Sequence, residues 1–204
     1  MEIVPAIIAY SKEELEDKLK AVQNYVDRVH IDIMDGIFVQ NKTIDGIEEL
    51  KNIDTKLDLD VHLMVKNPDI DSWLDTKASR FLIHVESGVD ISSITDKVHK
   101  ANKQVALVFN PETEPVMSPN IDAVQFMAVH PGNYGGDFVM GVLDKIKAFH
   151  NKYPDVKIIV DGAMHLETAK LAVESGASVI VIGGHIFNEG RSIPEVLEEF
   201  KNNL

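Results

Sequence analysis

With 204 residues, 45% of them hydrophobic, and no low-complexity tract, the chain is expected to form one compact domain over residues 1–204. Its 33 acidic against 20 basic side chains leave a net charge of −13, which argues against nucleic acid or an anionic membrane as a partner. Any bound phosphate must then be held locally, by backbone N–H groups, and the absence of cysteine excludes disulfides and thiolate metal ligands.

The chain opens Met1-Glu2-Ile3-Val4-Pro5, without the basic and apolar regions of a signal peptide, and no apolar run approaches membrane-spanning length. A soluble cytoplasmic protein is expected. From there β-branched runs alternate with amphipathic stretches. Residues 3–9 read as a first strand, and Ser11 with Glu14 three residues on has the pattern of a capping box before a helix to about Val22. Further strands are expected at 28–32, 56–65, 80–84, 104–109, 123–129, 157–161 and 179–182. Helices are expected near 47–52, 69–77 and 91–101, a short one after Thr113, then 139–152, 166–175 and 193–202. About eight strand–helix units are what a (β/α)₈ TIM barrel needs, at the short end of its size range. Alternation alone does not separate a closed barrel from a doubly wound open sheet. The barrel is preferred because polar strand ends from both halves of the chain converge most easily around a closed ring.

Those strand ends carry the candidate chemistry. His30 and Asp32 close Arg28-Val29-His30-Ile31-Asp32, His62 closes Leu57-Asp58-Leu59-Asp60-Val61-His62, and Asp161 closes Lys157-Ile158-Ile159-Val160-Asp161. His30 and Asp32 lie two apart on one strand, so they point to the same side, and His62 can meet them from the next strand. Neutral imidazole and carboxylate converging from several strands make a divalent-metal site, and two carboxylates can move protons. A lone strand histidine is more often a hydrogen-bonded core residue; four such residues at strand ends tip the balance. Asp35, Asp58 and Asp60 fit solvated loop or alternating-face positions, and His84 has a weaker claim to the pocket.

These residues sit in blocks that resemble the ribulose-phosphate 3-epimerase family. The resemblance rests on His30-Ile31-Asp32-Ile33-Met34-Asp35-Gly36 with Phe38-Val39 and Asn41, Asp60-Val61-His62-Leu63-Met64-Val65, and His84-Val85-Glu86. It continues through Ala106-Leu107-Val108-Phe109-Asn110-Pro111-Glu112-Thr113, Met127-Ala128-Val129-His130-Pro131-Gly132, Val160-Asp161-Gly162, and Ile182-Gly183-Gly184-His185-Ile186-Phe187, in the family's order over nearly the whole chain.

The resemblance implies a (β/α)₈ barrel of the ribulose-phosphate-binding type, an isomerase that interconverts D-ribulose 5-phosphate and D-xylulose 5-phosphate in the pentose phosphate pathway. It implies one divalent ion (Zn, Fe, Mn or Co) on His30, Asp32, His62 and Asp161, with Asp32 and Asp161 as the two acid/base groups. Met34, Met64 and Met127 match pocket-lining methionines, and Ile8 is a further substrate contact. Gly135-Gly136, Gly162-Ala163 and Gly183-Gly184 match the phosphate-holding turns. A homo-oligomer is compatible with the resemblance.

Departures fall on substrate binding. Ala6 and Gly184 stand where the family usually has serine, and Ala163 replaces a glycine. The sixth loop, 130–137, is one residue longer, with His130 in place of an acid and Asp137 in place of a glutamine. The same reaction on a six-carbon ketose phosphate such as allulose 6-phosphate is therefore the alternative, with a non-catalytic phosphate-binding barrel behind it. Synthases and decarboxylases on this barrel typically use an Asp-x-Lys-x-x-Asp cluster, which the chain lacks.

Overall fold

Successive residues of a strand face opposite ways, and in this chain that alternation sorts apolar from functional side chains. In the computed structural model, which describes residues 1–132, 135–187 and 190–204, the strands are β1 (Glu2–Ile7), β2 (Arg28–Met34), β3 (Asp58–Met64) and β4 (Arg80–His84). β5 (Gln104–Phe109), β6 (Ala123–Met127), β7 (Lys157–Asp161) and β8 (Val179–Ile182) complete the set. All pair in parallel in chain order, and β8 returns to β1 with Val181 opposite Val4. The ring is closed, so the open-sheet alternative falls.

The helices on the outside are α1 (Lys12–Val22), α2 (Ile47–Lys51), α3 (Ile70–Leu74), α4 (Ile91–Lys100), α5 (Val142–Lys152), α6 (Leu166–Glu174), α7 (Gly184–Phe187) and α8 (Ile193–Asn203). Val29, Ile31 and Ile33 of β2 and Leu59, Val61 and Leu63 of β3 pack in one apolar layer with Leu15 and Leu19 of α1 and Leu50 of α2. Each such side chain contributes roughly 1.5–3 kcal/mol by leaving water. The alternate residues, His30, Asp32 and Met34 with Asp60, His62 and Met64, are left to the barrel interior. Asp32 is registered with His62 and Met34 with Met64 across β2 and β3, and Met127 with Asp161 across β6 and β7. Below the site an apolar plug, including Val4, Leu82, Val108 and Ile159, fills the barrel.

Local signals differ from expectation in several places, and α7 (Gly184–Phe187) is a turn of helix where none was expected. Ser11 does cap α1, its Oγ accepting from the Glu14 N–H at 3.2 Å, but Glu14 Oε2 reaches back to the Tyr10 N–H at 2.8 Å rather than to Ser11. α3 covers only Ile70–Leu74, because Thr76 donates through both its N–H and its hydroxyl to the Trp73 carbonyl and ends the turn. The expected short helix after Thr113 does not form. Residues 110–122 cross as a loop containing Pro111, Pro115 and Pro119, which lack the N–H a helix needs.

Asp60 is a further correction. It is neither solvated nor on an outward face, but points inward at the amino end of the barrel with 1% exposure. There Arg80, itself 2% exposed, donates to it through Nε at 3.1 Å and through Nη2, and Arg28 Nη1 reaches it at 2.5 Å. A carboxylate is tolerated in that position only because two guanidinium groups satisfy it. Among the described residues no helix is long and apolar enough to cross a membrane.

Candidate functional site

β2, β3 and β7 bring His30, Asp32, His62 and Asp161 to one point near the carboxyl end of the barrel. His62 Nδ1 lies 2.8 Å from Asp32 Oδ1 and 3.8 Å from Asp161 Oδ2. His30 Nε2 lies 3.3 Å from Asp32 Oδ1 and 3.7 Å from Asp161 Oδ2. One donor atom from each residue falls within 4.8 Å of all the others.

A divalent ion with ligands at ~2.0–2.2 Å in a tetrahedron needs donor atoms separated by about 3.3–3.6 Å, and the four measured separations bracket that value. The ring nitrogens of His30 are buried, and apart from the 3.3 Å approach of Nε2 to Asp32 Oδ1 neither has a hydrogen-bond partner in the protein, as expected of a side chain whose polar atom serves something other than protein. The donor set therefore fits a divalent cation by spacing and by chemistry.

The two carboxyl groups are pushed in opposite directions. For Asp32, burial works against the anion, but hydrogen bonds from His30 and His62 and the charge of those imidazoles outweigh it and hold the carboxyl well below the usual range. For Asp161, burial dominates and the neighbouring Asp32 adds to it, so the carboxyl is raised. His30 is raised despite burial, because Asp32 accepts from it and Asp161 lies close. Paired carboxyls whose environments separate their proton affinities are suited to divide the roles of base and acid.

Above this cluster opens a cavity of about 450 Å³. Ile8, Met34, Met64 and Met127 line it beside Asp32 and Asp161, while Gly135, Gly136, Gly162, Ala163, Gly183 and Gly184 line its wall on the sixth, seventh and eighth loops. Ala6 lines it as well. Among the described residues the lining holds no lysine or arginine, and its side-chain donors are Asn41, His165 and His185, so an anion there is met by those and by backbone N–H groups. Gly162 takes φ +113°, and a Cβ on it would meet Val129 Cγ2 at 2.5 Å; Ala163 follows in the left-handed region at φ +50°. The sixth loop reaches over from Pro131 and Gly132, where Asn41 Nδ2 donates to the Gly132 carbonyl at 2.5 Å. Within the lengthened segment, Asn133 and Tyr134 lie outside the described residues, while His130 is exposed and paired with Glu112.

Three polar residues near the cluster escaped the sequence reading in whole or part. Gln125, fully buried on β6, sets Nε2 3.4 Å from Asp161 Oδ2 and 3.4 Å from Met127 Sδ. The signal was a polar residue two before Met127, on the same inward face. His84, given only a weak claim, has Nε2 2.8 Å from His62 Nε2 and is covered by the Phe38 ring at 4.7 Å. Glu86 stands behind His84, with Oε2 3.4 Å from its Nδ1. Burial lowers His84 to about 4, and His62 adds to the effect; Glu86 is lowered to about 2, against its own burial, by hydrogen bonds from His84, Thr113 and Asn110.

Comparison with known proteins adds the lineage. The model of the ribulose-phosphate 3 epimerase family matches residues 2–187. A ribulose-phosphate 3-epimerase of Schizosaccharomyces pombe is 33% identical, with 99% of this chain and 93% of that protein aligned. One from Bacillus subtilis is 32% identical over 93% of each. Among solved structures, a 3-hexulose-6-phosphate synthase superposes over 100% of both chains with a TM-score of 0.72 at 18% identity. An orotidine 5'-monophosphate decarboxylase from Sulfolobus solfataricus does so over 99% and 98% with a TM-score of 0.66 at 12% identity. At such identities those structures share the fold alone.

Proposed function

The chain belongs to the ribulose-phosphate 3-epimerase family, and on that premise we propose that it inverts C3 of D-ribulose 5-phosphate and D-xylulose 5-phosphate with Asp32 and Asp161 as the proton carriers. The observation that carries this reading is the meeting of those two carboxyl groups, from opposite sides of the ring on β2 and β7, in a cluster whose donor atoms lie within 4.8 Å of one another. We take the chain as one domain, since every residue invoked comes from one barrel.

Asp32, held ionised, takes the C3 proton, and the electron pair of that C–H bond moves into the ketone to give an enediolate. Asp161, in its protonated form, delivers a proton to C3 from the other face. In the reverse direction the roles exchange. His30, His62, Asp32 and Asp161 would hold a divalent ion of the Zn, Fe, Mn or Co kind, which when bound supplies positive charge beside the substrate oxygens. Met34, Met64 and Met127 form a polarizable apolar wall that keeps water from the reacting carbon. Backbone N–H groups of the glycine-bearing loops take the phosphate.

A second reading, a six-carbon ketose phosphate, draws on Ala6, Ala163 and Gly184, small residues that line the cavity. The test is a stereochemical assay of metal-reloaded protein on both sugars. Epimerisation of ribulose 5-phosphate at the higher kcat/KM supports the first reading. Preference for the six-carbon sugar establishes the second, and turnover of neither removes both.

A further inference from the structure

β6 turns Ala123, Gln125 and Met127 toward the barrel axis, and only the middle one is polar. Gln125 is registered with Val108 on β5 and Ile159 on β7, both fully buried and both part of the apolar plug. A leucine or methionine would satisfy that environment. Instead the chain buries an amide whose Oε1 has no hydrogen-bond partner among the described residues, which weakens the fold. The other end of the amide accounts for its presence. Nε2 donates to Asp161 Oδ2 at 3.4 Å and to Met127 Sδ at 3.4 Å, and Met127 is itself registered with Asp161 across β6 and β7.

Orientation of the amide follows from its two neighbours. A thioether sulfur only accepts, and a carboxylate oxygen that faces a cation carries no hydrogen, so both require the NH₂ end. That group has one hydrogen for each. Asp161 Oδ2 is also the oxygen turned to the imidazoles, 3.7 Å from His30 Nε2 and 3.8 Å from His62 Nδ1. With two lone pairs it can meet the amide and a divalent ion together. Holding one oxygen stops rotation of the carboxyl about its bond to Cβ. We propose that Gln125 is a positioning residue for Asp161, reserving Oδ2 for the cation and leaving Oδ1 as the oxygen that moves a proton at C3. A carboxyl free to rotate would spend part of its time misaligned with that carbon, and small misplacements of a reacting group are costly in rate. This inference rests on the proposed epimerase reaction and adds the residue that aims one of its two proton carriers.

Gln125→Met and Gln125→Leu remove the donor while keeping a side chain of similar size. The melting temperature of the metal-free protein is expected to hold or rise, since the unpartnered oxygen goes with the donor. Zinc affinity measured by chelator competition is expected to fall about tenfold. The specific readout is the fate of the enediolate in deuterium oxide at saturating zinc. With ribulose 5-phosphate, Asp32 opens the reaction and Asp161 completes it, so a misaimed Asp161 lets the enediolate take label back from Asp32. The ratio of C3 deuterium in recovered ribulose 5-phosphate to that in xylulose 5-phosphate is expected to rise at least about tenfold in both variants. A wild-type ratio or a wild-type zinc affinity in either folded variant overturns the proposal and leaves the proposed reaction standing. Failure of both variants to fold also overturns it, because the amide would then serve the barrel rather than the carboxyl. A wild type that incorporates no deuterium at C3 of either sugar removes the proposed reaction and this inference together.

Discussion

The buried His84 and the half-buried Glu86 make a pair whose proton affinities are both depressed, and the consequence is a defined acid sensitivity. Glu86 has its proton affinity lowered from 4.5 to about 2, so its contribution to stability is present above 4.5 and lost as the pH falls toward 2. His84 is lowered from 6.5 to about 4, so folding keeps it neutral where the unfolded chain would protonate it. Its contribution is whole above 6.5 and is lost as the pH falls through 4. Both act in one direction. Melting of the metal-free protein is expected to drop progressively from pH 6.5 downward, and Glu86→Gln should lack the portion of the loss between 4.5 and 2. Parallel curves for the two proteins across that interval would remove Glu86 as the cause. At this scale the sequence exposed His30, Asp32, His62 and Asp161 because each ends an apolar run. It hid Glu86 and Gln125, whose partners His84, Asn110 and Asp161 become neighbours only when strands pair.

Elements were legible where period and caps agreed. The eight strands follow from runs of β-branched residues, and their bounds differ from expectation mainly at the ends, where pairing rather than composition decides. The short helix expected after Thr113 does not form in the loop of residues 110–122 because Pro111, Pro115 and Pro119 lack the N–H groups a helix needs. The turn after β7 is where an element governs the site. Gly162 at φ +113° packs against Val129 and sets the direction in which Asp161 leaves its strand. Gly162→Ala adds a Cβ at 2.5 Å from Val129 Cγ2 in a backbone region closed to side chains. It is expected to cost about 2 kcal/mol or more and to lower epimerase activity beyond that loss, because Asp161 is its neighbour. Denaturant unfolding and kcat/KM read the two effects separately, and an unchanged midpoint would show that Val129 yields freely.

Over the whole molecule the barrel is divided by function along its axis. Catalytic candidates gather at the carboxyl end, an apolar plug fills the middle, and the Asp60–Arg80–Arg28 cluster closes the amino end. Nothing in the alternation of residues 58–62 separated Asp60 from Asp58, because the distinction is which side of the wall Arg80 stands on. Asp60→Asn leaves a guanidinium of 2% exposure without its counter-charge, and the loss is expected to be about 3–5 kcal/mol by chemical denaturation. A loss below about 1 kcal/mol would mean that water reaches Arg80.

The central claim, two carboxyl groups working opposite faces of one carbon, is tested most directly by incorporation of solvent deuterium at C3 of ribulose 5-phosphate by wild type, Asp32→Asn and Asp161→Asn. The account predicts label at C3 of the inverted product with wild type, and epimerisation reduced by at least about 10²-fold in each variant. Inversion without label, or activity within about tenfold of wild type in either variant, would contradict it.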